Sequence, residues 1–69
     1  MYFTLQILIK ADGYDRSTTM HDTIDEAEKQ FHQNMVSAMN NADYQRAIMM
    51  VLDGADGSIK FRRVWNRGV

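Results

Sequence analysis

Sixty-nine residues, no cysteine and a formal net charge of −1 allow one small domain that neither disulfides nor a cysteine-based zinc site can staple. No apolar run is long enough to span a bilayer, and no basic segment marks a secretion signal at Met1-Tyr2-Phe3-Thr4, so residues 1–69 read as one cytoplasmic domain with no membrane partner. A core this small is marginal, and self-association into a homodimer or higher oligomer is the expected remedy.

In chain order, Tyr2 to Lys10 is rich in β-formers and reads as a strand. Ala11-Asp12-Gly13 is a turn signal, after which Tyr14 to Met20 returns as a more polar edge strand. Thr23-Ile24-Asp25-Glu26 has the capping-box pattern, and Asp25, Glu26 and Glu28 suit the positive end of a helix dipole. Ile24, Ala27, Phe31, Met35 and Ala38 recur at spacings of three or four, which predicts a helix to about Met39, with Val36 and Met39 widening its apolar stripe and Asn40-Asn41 stopping it.

Tyr44 to Leu52 has the composition of a third strand, and its Ile48–Leu52 run, apolar on both sides, predicts burial on both faces. Asp53-Gly54-Ala55-Asp56-Gly57 turns the chain into a fourth strand from Ser58 to Trp65, and the tail Asn66 to Val69 is expected to fray. The fold class is therefore α+β in the order ββαββ: a four-stranded antiparallel sheet with the helix on one face, the other face being open for association or ligand.

Ala-Asp-Gly occurs at 11–13 and again at 55–57. Read as the same three-residue loop in both hairpins, it pairs even residues with even and sorts odd and even side chains onto opposite faces. The odd face, with Phe3, Leu5, Ile7, Ile9, Ala47, Met49, Val51, Ile59, Phe61 and Trp65, is then the core beneath the helix. The even face carries Tyr2, Tyr14, Tyr44, Lys10, Arg16, Arg46, Lys60 and Arg62 among aliphatic residues, and no acid.

Charge points the same way. Residues 1–43 carry most of the acids, whereas Arg46, Lys60, Arg62, Arg63 and Arg67 meet only Asp53 and Asp56 in the rest of the chain. A tyrosine ring can stack on an aromatic ligand, and an arginine fork recognises phosphate. The ligand-binding candidates are accordingly Tyr2, Tyr14, Arg16, Tyr44, Arg46, Arg62 and Arg67, the last closing over the ligand. No nucleophile motif, phosphate loop or paired-carboxylate arrangement is present, so no enzyme, catalytic residue, cofactor or metal is expected. Asp25, Glu28, His32 and His21 read as a solvated helix face.

The order hairpin, helix, hairpin, with Phe31-His32-Gln33-Asn34-Met35 and Val51-Leu52-Asp53-Gly54-Ala55-Asp56-Gly57, resembles short accessory proteins of phages and prophages of Gram-positive bacteria. That resemblance implies a counter-defence protein in the host cytoplasm. Such a protein either sequesters a nucleotide-like signal inside a homo-oligomer or, as anti-CRISPR proteins do, binds a host protein. Joined to the Tyr/Arg face, it favours sequestration of a phosphate-bearing ligand, with inhibition of a host protein next. Single-stranded nucleic-acid binding comes last, because the net charge is low for it.

Overall fold

The computed structural model describes residues 1–68 as β1 (Tyr2–Lys10), β2 (Gly13–His21), α1 (Ile24–Asn40), β3 (Tyr44–Asp53) and β4 (Ile59–Asn66). The strands form one antiparallel sheet in the order β2-β1-β3-β4, with α1 packed on one face. The fold is the expected α+β arrangement, and β2 is an edge strand.

α1 begins at Thr23, whose hydroxyl accepts a hydrogen bond from the Glu26 amide at 3.2 Å, satisfying one of the free donors at the helix start. Its buried side chains are Ala27, Phe31, Asn34, Met35 and Ala38. Val36, expected to widen this stripe, is exposed, and Asn34 takes a buried place while accepting a bond from Gln30 at 2.7 Å. Ala27, Ala38 and Ala47 are fully enclosed, so small residues on helix and sheet let the two approach closely. The Thr4 hydroxyl completes the seat by donating to the Ala27 carbonyl at 2.8 Å.

The register differs between the hairpins. β1 and β2 pair Lys10 with Gly13 and Ile9 with Tyr14, so their loop is the two residues Ala11-Asp12 and odd positions meet even. β3 and β4 pair Ala47 with Trp65 and Met50 with Arg62, the even-with-even register expected, until a bulge at Val51/Leu52 brings Leu52 opposite Ile59. The common loop is therefore a misreading. Asp53 begins the second loop early: its carboxylate accepts from the Ala55 amide at 2.8 Å, and its carbonyl accepts from Gly57 at 2.8 Å. The equivalent place before Ala11 is Ile9, which has no side-chain acceptor to offer the Ala11 amide.

Glycine is required at two places in the second loop. Gly57 has φ +75°, and a Cβ on Gly54 would lie 2.8 Å from the Met1 carbonyl. The tail is tied rather than frayed as far as Arg67, whose amide donates to Gln45 O at 2.9 Å; Val69 lies outside the described residues.

Candidate functional site

A one-residue shift in β1 exchanges its faces. The helix lies over Thr4 and Leu8, with Tyr2 packed at the margin, and over Ala47, Met49, Val51, Phe61 and Trp65 from β3 and β4. Phe3, Leu5, Ile7 and Ile9, expected in the core, occupy the open face instead.

The pairing registers lay that open face out as rows running from β2 across to β4. The row nearest the Asp53 loop is Met20, Phe3, Leu52, Ile59. Next come Thr18, Leu5, Met50, Arg62, then Arg16, Ile7, Ile48, Val64, and finally Tyr14, Ile9, Arg46, Asn66. The two central strands thus present only apolar side chains apart from Arg46, and the other arginines stand on the edge strands. Met20 is 64% exposed, Tyr14 62% and Ile59 56%, which is high for apolar side chains sharing a surface.

Of the candidate binding residues, Tyr14, Arg16, Arg46 and Arg62 share this face. Tyr2, Tyr44 and Arg67 do not. Tyr44 turns away because β3 bulges against β1: Ile9 faces Arg46 but Lys10 faces Tyr44, leaving Gln45 as the extra residue. Its hydroxyl donates to Asp15 at 2.9 Å on the helix side, and that bond holds its pKa above the ordinary 10.0. Lys10 reaches the same carboxylate at 3.5 Å, so it too leaves the expected face. Lys60 falls within the β3–β4 irregularity and pairs with Asp53 at 4.0 Å.

Arg67 is committed to the fold. Its guanidinium donates to Tyr44 O at 2.8 Å, Asn41 O at 2.8 Å, and Ala38 O and Met39 O at 3.2 Å each, and it lies 4.7 Å from the Trp65 ring centre. No basic residue sits in the last turn of α1. Arg67 supplies from a distant point in sequence the positive charge that the negative helix end favours.

Among the described residues, no carboxylate lies within ion-pair distance of Arg16, Arg46 or Arg62. Arg46 instead donates to Asn66 Oδ1 at 2.7 Å along its own row. Arg16 and Arg62 stand on opposite edge strands, about 14 Å apart across the sheet at the ordinary strand spacing. The arrangement is an apolar centre with cations around it, and it holds no carboxylate or histidine to act as a general base. A concavity of about 460 Å³ on this face is bounded by Ile7, Ile9, Gly13, Tyr14 and Arg16.

Elsewhere, a groove of about 600 Å³ beside α1 is lined by Gln30, His32, Gln33, Asn34, Val36 and Ser37. His32 lies 3.6 Å from Glu28, and among the described residues no three His, Asp or Glu side chains come together as a metal site would need. No described helix is long and apolar enough to cross a membrane. Searches against family models, curated proteins and solved structures find no match to this chain.

The signal that would have located the open face was the size of the side chains. Thr4, Ala27, Ala38 and Ala47 are the small residues a helix needs beneath and within it, and Thr4 lies at an even position. The odd positions of β1 hold the larger Phe3, Leu5, Ile7 and Ile9.

Proposed function

We propose that this chain is a non-catalytic binding protein that acts by protein–protein contact through its open sheet face. The observation that carries this reading is the apolar centre of that face, Leu5, Ile7, Ile48 and Met50, ringed by Arg16, Arg46 and Arg62. Protein interfaces have this anatomy, an apolar middle with a polar rim and arginine enriched over lysine. The resemblance to phage accessory proteins supplies a setting, a small protein of a mobile element.

A second reading rests on the concavity beside Tyr14 and Arg16. There a nucleotide-like ligand would stack on the phenol ring while the guanidinium met its phosphate. The placement of Tyr2, Tyr44 and Arg67 on the helix side removes much of the stacking and phosphate-binding chemistry this reading called upon, so protein contact ranks first.

Affinity capture separates the two. Proteins retained by the wild type, including further copies of the chain itself, are expected to be lost with Ile48→Glu and kept with Val36→Glu, which places the same charge on the exposed side of α1. Saturable binding of nucleotides that Arg16→Ala abolishes, with no protein retained, would reverse the ranking.

A further inference from the structure

β3 is apolar on two sides and β1 is apolar on its open side, yet α1 covers only the other face. β3 shows this most clearly: Met49 and Val51 are fully enclosed beneath the helix, while Ile48, Met50 and Leu52 remain partly open on the reverse. β1 repeats the pattern, with Thr4 and Leu8 covered and Leu5, Ile7 and Ile9 partly open. Strands with apolar residues on both faces belong in the middle of a three- or four-layer structure. One copy of this chain forms only two layers. We propose, on the reading that the open face is a protein-contact surface, that its occupant is a second copy of this chain, stacked sheet to sheet about a two-fold axis.

The geometry suits self-pairing. Strand spacing and rise give the open face a projected area of about 450 Å². Two such faces project about 900 Å², and the accessible surface of their side chains exceeds that projection, which brings the pair toward the lower bound of specific interfaces, about 1,200 Å² in total. Charge is the natural objection, since each face carries arginines and no acid. A two-fold axis parallel to the strands, between β1 and β3, answers it. That axis sets β1 over β3 of the partner subunit and β2 over β4 of the partner subunit, row on row.

Leu5 then faces Met50 of the partner subunit, and Ile7 faces Ile48 of the partner subunit. At the edges Arg16 meets Val64 of the partner subunit, and Arg62 meets the partner's Thr18, whose hydroxyl can accept from it. No arginine faces an arginine. The row of Met20, Phe3, Leu52 and Ile59 lies over its own copy, apolar on apolar. Tilting that axis by about 15° from the strands gives the crossing of about −30° that twisted sheets adopt, so the match is closest at the centre, where Leu5, Ile7, Ile48 and Met50 stand.

Sedimentation of the full chain at concentrations up to about 100 μM is expected to show a dimer. Ile48→Glu should weaken it at least a hundredfold with the far-ultraviolet circular dichroism unchanged, and Val36→Glu should leave it intact. Since the chain has no cysteine, single-cysteine variants give a second measurement should Ile48→Glu fail to fold. Met50→Cys should form a covalent dimer with a bismaleimide of about 10 Å reach, the spacing of stacked sheets, and Val36→Cys should not. A monomeric wild type overturns the proposal, as does a dimer that survives in folded Ile48→Glu or cross-links through Val36→Cys alone. A monomer that captures other proteins through Ile48 would leave the protein-contact reading standing while this inference falls.

Discussion

The two faces of the sheet carry their apolar residues in opposite styles. Under α1 the central strands present Thr4, Gln6 and Leu8 beside Ala47, Met49 and Val51, a mixture of small, polar and apolar side chains. On the reverse they present Phe3, Leu5, Ile7 and Ile9 beside Ile48, Met50 and Leu52, a bulkier and more uniformly apolar set. The helix does not take the greasier face. It takes the one where three alanines allow close approach and where Thr4 has a carbonyl to meet. Close packing and polar satisfaction decide where a helix sits, because voids and unpaired polar groups cost what raw hydrophobicity would gain.

Neighbouring methionines give the sharpest test of this contrast. Met49 is fully enclosed beneath α1 and Met50 points the other way. Met49→Ala should cost about 2–5 kcal/mol as a cavity opens in the core. Met50→Ala should cost under about 1 kcal/mol in denaturant unfolding at protein concentrations too low for association. Equal costs for the two would mean that the faces are wrongly assigned.

Arg67→Ala comes next. It removes the bonds to the last carbonyls of α1, with an expected loss of about 1.5–3 kcal/mol, the range for hydrogen bonds to a charged group. Arg62→Ala, on the open face, should leave the unfolding midpoint of the dilute monomer nearly unchanged. Were Arg67 free to hold a ligand, the two substitutions would behave alike.

The smallest effects are those of pH, and both arise off the open face. The Ser58 amide donates to the Asp56 carboxylate at 2.9 Å and lowers its pKa below the ordinary 3.8. Its stabilising contribution is therefore complete above about pH 4 and is lost as pH falls through the lower folded value. Tyr44, raised by its bond to Asp15, contributes below the ordinary 10.0 and loses that contribution as pH rises through the folded value. Asp56→Ala should flatten the acid limb of a stability–pH profile and Tyr44→Phe the alkaline limb. Association through the open face should hold steady between about pH 5 and 9, since that face carries neither carboxylate nor histidine.

The order and type of the elements were legible in the sequence alone. Apolar spacing from Ile24 to Ala38, the Thr23 cap and the paired turn signals act over a few residues, and local physics suffices to read them. The outward place of Arg46 and Arg62 was legible too, because β3 and β4 keep their even register. What escaped was every feature set by a neighbour distant in sequence or by a single extra residue. One residue fewer in the first loop reversed β1, and the bulge at Gln45 turned Tyr44 inward. Arg67 found the carbonyls of a helix that ends 27 residues earlier, at Asn40. A strand's period of two makes the choice of face an all-or-none consequence of loop length. The sequence by itself therefore determined that the Ile48–Leu52 run has two apolar sides; tertiary packing alone decided which face of the sheet the helix covers and which it leaves open.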